Sequence, residues 1–248
     1  MTNGAMLSSV ADSLYWMSRY LERVEHTARL LIVNLNMTLD VRPPDARRRW
    51  QRLFQTLHVP VPEEPITDYL ATQHLAFDPN NGNSIFSCIS AARENARQVR
   101  AQISSEMWEH LNGMYLTFKA NDLDAIWNDG PFNILRQVRN DCHMFEGLTD
   151  STMNHWEGWY FIQTGRFIER ALGIANLLVV NSDVFEPPSD DKVSDRYLDM
   201  LGLLKSCTAF EAYCKIYTAT LVPERVADLL LLNDEFPHSV HFSIDRLQ

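Results

Sequence analysis

Apolar residues recur near the start of the chain at Leu7, Val10, Leu14, Met17, Leu21, Val24, Ala28, Leu31 and Leu35, in alternating steps of three and four. This seam predicts a long helix over Leu7–Leu35, packed at a shallow angle against its neighbours. Pro43-Pro44 is expected to end it, and Arg47–Leu57 reads as a short basic helix. Residues 59–83 carry Pro60, Pro62, Pro65, Pro79 and Gly82, which predicts a long irregular connection. Asn83 or Ser84 is placed to cap a helix whose seam runs Ile85, Ile89, Ala92, Ala96, Val99, Ile103 and continues to about Leu116. Asp129-Gly130 reads as a turn, with Pro131 opening a helix to about Glu146. Trp156–Asn181 is a second strong helix. Pro187-Pro188 breaks the chain before helices at Val193–Tyr217 and Pro223–Asn233. No stretch alternates with period two, so the chain is read as all-α, a multi-helix bundle.

The two strongest helices share a sequence pattern. A shift of 147 residues lays Arg19 on Arg166, Glu22 on Glu169, Arg23 on Arg170 and Ala28 on Ala175. It also lays Leu30-Leu31 on Leu177-Leu178 and Val33-Asn34 on Val180-Asn181. The same shift carries the first seam onto Phe161, Thr164, Ile168, Ala171, Ala175 and Leu178. One gapless offset that preserves both seam and charges reads as an internal repeat of a long Arg-x-x-Glu-Arg helix. A weaker echo, Arg93-Glu94 with Arg97, lies in the middle of the chain.

Heptad counting puts Arg19, Glu22, Arg23 and His26 at outward positions on one helix face, extended by Tyr15 and Arg29 with Trp16 beside it. One reading is a solvated face stitched by ion pairs. Aromatic neighbours and the recurrence of the triplet favour convergence of the two helices instead. Four arginines (Arg19, Arg23, Arg166, Arg170) and two glutamates (Glu22, Glu169) would then make a net positive site for a carboxylate or phosphate. The structural alternative is an Arg–Glu lattice that fixes helix register.

Composition narrows the functions. The net charge is −10, which argues against a nucleic-acid partner. Only nine glycines occur, as suits helices better than barrels or sandwiches. Apart from Lys119, Lys192, Lys205 and Lys215 the basic residues are arginine, a bias read as codon composition ahead of anion binding. The longest uncharged run, Pro79–Ala92, is too short for a membrane span, and no secretory signal opens the chain. A cytoplasmic location is expected, with Cys88, Cys142, Cys207 and Cys214 as reduced thiols packed in a core; Cys207 and Cys214 are read as lying two turns apart on one helix face.

Glycine spacings match no dinucleotide fingerprint, phosphate loop or nucleophile elbow, so no cofactor is expected. A di-iron bundle needs two helical Glu-x-x-His pairs. The one match, Glu235–His238, contains Pro237, so no metal is expected, and His238 and His241 are assigned to an extended loop. Asp141, His143, His155 and Glu157 are chemically mixed and read equally as surface or capping groups.

With the repeated Glu-Arg helices in view, the chain resembles the alpha-E family of bacterial helical proteins. The likeness rests on Leu14–Leu31, Ser87–Trp108, Gly165–Leu178, Phe210–Tyr213 and Leu229–Phe242, in order along nearly the whole chain. It implies a single alpha-E-like domain over residues 1–248. Family members start near Met6 and continue past the position of Phe242, so Met1–Ala5 is expected to be an extension or a start-site choice, and the last helices are expected to be missing. The resemblance also implies company: a circularly permuted ATP-grasp protein, often beside a transglutaminase-like protein, in a system that ligates or modifies peptides. In that setting the chain is expected to be a non-catalytic binding component for the ligase, or for a peptide or carboxylate group. The alternative is a bundle enzyme using the Arg/Glu site for acid–base chemistry on an anionic substrate. A closed pocket holding a perturbed carboxylate would favour the enzyme, and an open groove the module.

Overall fold

The computed structural model describes residues 6–38, 43–186 and 193–248. Among them are twelve α-helices and no strand. They are α1 (Ser8–Thr38), α2 (Pro43–Thr56), α3 (Asp68–Thr72), α4 (Ile85–Gln98), α5 (Ser105–Ala120) and α6 (Leu123–Asp129). The others are α7 (Phe132–Thr152), α8 (Glu157–Val180), α9 (Val193–Ser206), α10 (Phe210–Tyr217), α11 (Pro223–Leu231) and α12 (Val240–Asp245). A five-residue π turn, Gln73–Phe77, follows α3, and a 3-10 turn, Ser182–Phe185, follows α8. The expected extension Met1–Ala5 and the break at Pro187-Pro188 lie outside the described residues.

Several boundaries depart from the sequence pattern for local reasons. Leu7 precedes α1 and is 71% exposed, so the seam begins at Val10. Pro43-Pro44 opens α2 rather than ending α1, because proline lacks only an N–H that a first turn leaves unpaired anyway. The connection at 59–83 contains α3 and the π turn, closed by the Asp78 N–H donating to the Gln73 carbonyl at 2.9 Å. The helix expected to reach Leu116 stops at Gln98. Ser104 caps a new one by accepting from the Met107 N–H. The helix from Pro131 runs on to Thr152, past Glu146. Val193–Tyr217 is two helices, separated at Thr208, whose φ of 52° no helix accepts. Cys207 and Cys214 therefore do not share a helix. Helices α6 and α12 have no counterpart in the pattern, and His241 lies in α12 rather than in a loop.

Two compact units are present: Met1–Arg29 with Tyr69–Glu169, and Leu30–Asp68 with Arg170–Gln248. In the first, α5 packs against α4 and α7, and Leu14, Met17, Leu21, Val24 and Ala28 of α1 are buried. Each such leucine or methionine contributes about 1.5–3 kcal/mol relative to exposure. In the second, α11 packs against α9, α10 and α12. Buried Tyr213 ties that unit together: its hydroxyl donates to the Thr220 carbonyl at 3.0 Å and accepts from the Val222 N–H at 2.9 Å.

The repeated sequence is not buried the same way twice. In α1 the seam positions Leu14, Met17, Leu21 and Val24 are core, whereas their counterparts in α8, Phe161, Thr164, Ile168 and Ala171, are half-buried or exposed. The buried side chains of α8 are Ile162, Gln163, Phe167, Arg170, Ile174, Leu177 and Leu178. Most of these, Gln163, Phe167, Arg170, Ile174 and Leu177, precede a seam position by one residue, whereas buried Leu178 is itself the counterpart of Leu31.

Candidate functional site

Helix α8 approaches α1 closely in the first unit because residue 165 is glycine. A Cβ there would stand 2.3 Å from the Tyr15 carbonyl oxygen and 3.3 Å from the Arg19 Cγ. One turn further along α8, Glu169 reaches two arginines of α1. The Arg19 Nε donates to its Oε2 and the Arg23 Nε to its Oε1, both at 2.6 Å. Arg19 also donates to the Tyr15 hydroxyl at 2.9 Å and lies over the Trp16 ring at 5.0 Å. Arg23 donates to Asn83 Oδ1 at 2.8 Å. Burial disfavours the Arg23 charge, but the hydrogen-bonded Glu169 carboxylate outweighs it and raises the guanidinium above its ordinary pKa.

A second charged group joins the same helices to α7. Arg166 of α8 donates to Glu146 of α7 at 2.6 Å, and its Nε is 4.0 Å from Glu22, which is only 5% exposed. Further along α1, buried Arg29 pairs with Glu25, and His143 of α7 lies 3.4 Å from the same carboxylate. His26 is half-buried with its Nε2 buried and unpartnered. Burial, helped by the Arg29 charge, lowers its pKa to about 4 against the pull of Glu25, Glu22 and Glu169.

The outward placement of the triplet is therefore corrected: Glu22 and Arg29 are core residues, and Arg19 and Arg23 are mostly covered. Within the first unit the charged group is larger than the two triplets alone. Arg170 belongs to the second unit, where it donates to the Pro237 carbonyl at 3.4 Å. In the first unit Arg29, Glu25 and Glu146 join Arg19, Glu22, Arg23, Arg166 and Glu169. Arg19, Arg23, Arg29 and Arg166 then stand against Glu22, Glu25, Glu146 and Glu169, an even balance. The i,i+4 spacing of Glu25 and Arg29 was visible in sequence; nothing local pointed to Glu146.

The middle echo does not join. Arg93 donates to Asn112 at 2.7 Å and lies over the rings of Trp108 and Tyr115, while exposed Glu94 pairs with Arg97. Nor do the mixed acids and histidines converge: Asp141 accepts from His110 through its carbonyl, His155 stacks on Trp159 at 4.2 Å, and Glu157 accepts from the Met6 N–H. Among the described residues no group of three or more His, Cys, Asp or Glu is placed to hold a metal ion, and no helix is long and apolar enough to cross a membrane.

The space around the charges is small. A cavity of about 20 Å³ beside Glu22, Glu146 and Arg166 has room for about one water. In the same unit, a groove of about 590 Å³ opens where α1 and α8 begin, lined by Leu7, Val10, Ile103, Met153, Trp156 and Trp159. Leu7, Trp156 and Tyr160 stand exposed at that end.

Residues 6–248 match a family described as a predicted alpha-helical domain with a conserved ER motif. Uncharacterized proteins of Mycobacterium bovis and Mycobacterium tuberculosis are similar at 23% identity over 267 aligned positions, covering 96% of this chain. The chain spans 29% of the length of these relatives. No solved structure matches it.

Proposed function

For a chain that belongs to the Alpha-E family, we propose the role of a non-catalytic binding component in a bacterial amide-ligase system, acting with an ATP-grasp partner. A transglutaminase-like protein, and a peptide or carboxylate as the group handled, complete the proposed system. The observation that carries this reading is the contrast within the first unit. The Arg–Glu groups are charge-balanced around a one-water cavity, whereas the start of α1 and α8 offers an open groove with exposed aromatic rings. A site for acid–base chemistry needs room for substrate beside its carboxylate. A docking module needs accessible apolar surface, which Trp156 and Tyr160 supply.

Co-purifying the chain from its native host with an ATP-grasp protein of the kind the proposal requires tests it. A complex is expected, weakened by Trp156→Ser with Tyr160→Ser and unaffected by Glu94→Gln. Failure of the purified partners to associate would sink the reading.

A further inference from the structure

The second unit holds a different kind of polar space. The end of α1, the middle of α2, the end of α8 and the body of α9 enclose a cavity of about 40 Å³. At some 10–15 Å³ per water, that is room for about three waters, roughly the bulk of one small oxoanion.

Its charged wall is built from arginine. Arg49 forms an ion pair through Nη2 with Asp199 at 2.8 Å. Arg52 reaches Asp199 and Asn181 at 3.3 Å each and also pairs with Asp183, which Arg48 shares. Three arginines thus face two aspartates within this ion-paired group, one positive charge in excess. The Nε and Nη1 of Arg49 have no partner among the described residues, and Nη1 would stand 3.6 Å from a Cβ at Gly202.

The remaining wall supplies neutral polar groups. Asn34 and Asn181, at matching places in the repeated sequence, each give one N–H to the carbonyl four residues back, at 2.9 and 2.8 Å. Each carboxamide retains a second N–H. Ser206 is 4% exposed, lines the cavity, and its hydroxyl has no hydrogen-bond partner among the described residues. That hydroxyl still reaches the open space of the cavity, so it can donate to whatever occupies it.

We infer that this cavity is a binding site for a phosphate-sized oxoanion, held by Arg49 and Arg52 with Ser206 as a neutral donor. Guanidinium groups present paired donors to such an oxoanion, and the surplus charge is matched by one anion. The inference concerns other residues than the ligase reading and stands or falls separately.

Titration of the full chain with inorganic phosphate at constant ionic strength, read by calorimetry, tests it. Saturable binding of one phosphate is expected, weakened by about tenfold or more in Ser206→Val, which removes the hydroxyl and adds a methyl group. Gly202→Ala is the second variant. Its added methyl makes an ordinary contact with Arg49 Nη1, so the helix stays folded while the cavity narrows, and weaker binding is again expected. Phenyl phosphate distinguishes a free anion from a phosphoryl group on a larger molecule. The cavity size predicts that it is excluded, and equal binding of both ligands would assign the larger class. Absence of saturable phosphate binding, or binding by both folded variants as tight as in the parent chain, overturns the inference.

Discussion

Arg23 and Glu169 meet at 2.6 Å although 146 positions of sequence separate them, and Glu169 takes a second arginine, Arg19, on its other oxygen. One carboxylate thus spans two successive turns of α1. Its side chain is 12% exposed, so both arginines lose their partner in a place water reaches poorly.

Glu169→Gln should cost about 3 kcal/mol, since removing one member of a mostly buried ion pair strands the others. Urea midpoints measure it. Glu94→Gln, whose pair with Arg97 lies in solvent, should leave the midpoint unchanged. Similar small shifts for both would return the motif to the solvated-face reading.

Gly165→Ala inverts a familiar sign. Alanine within a helix is ordinarily more stable than glycine by about 0.5–1 kcal/mol. Here the methyl group meets backbone of α1, so a loss of about 1–3 kcal/mol is expected from overpacking. Gly147→Ala on α7, with open space around it, is the control and should be neutral or stabilising. Equal behaviour of the two variants would refute close α1–α8 packing.

Glu22 and Glu146 share Arg166, so their substitutions should not be independent. In a cycle of Glu22→Gln, Glu146→Gln and the double variant, the deviation from additivity is expected to exceed about 0.5 kcal/mol. Additive effects would mean that the 4.0 Å approach of Arg166 to Glu22 carries no energy.

His26 gives the fold a pH dependence of known sign. Its pKa is about 4 folded and 6.5 unfolded, so the unfolded chain binds more protons between those values. The His26 contribution is present above pH 6.5 and is lost as pH falls towards 4, by roughly 3 kcal/mol at most. Stability measured from pH 7 to 4 should fall less steeply in His26→Asn. Parallel curves would show that His26 titrates normally.

The thiols should differ in reactivity. Burial pushes Cys88 up to about 12 despite the opposing charge of Arg23, and burial likewise raises Cys142. Cys207 is buried, and Cys214 is half-buried on α10. Brief treatment of the native chain with a thiol reagent at pH 8 should add one label, at Cys214. Early labelling of Cys88 or Cys142 would contradict their burial.

Helix class was legible in the sequence because an amphipathic seam is a local property. Leu14 through Leu35 announce a buried stripe every 3.6 residues, and any packing partner satisfies it. The identity of the charged side chains that matter was legible for the same reason, as a pattern of Arg19, Glu22, Arg23, Arg166 and Glu169. Their pairing was not, because helix rotation is set by the neighbour. The methyl-free surface at Gly165 lets α8 settle against Tyr15, and that contact turns Glu169 towards Arg19 and Arg23. Arg170 is 7% exposed, whereas the side chain of its counterpart Arg23 is 23% exposed. The recruitment of Glu146 from α7, and with it the balanced charge, likewise depended on residues far apart in sequence. Local spacing fixes which side chains share a face; only the packed helices decide which face meets which, since burying a charge is tolerable only beside its opposite.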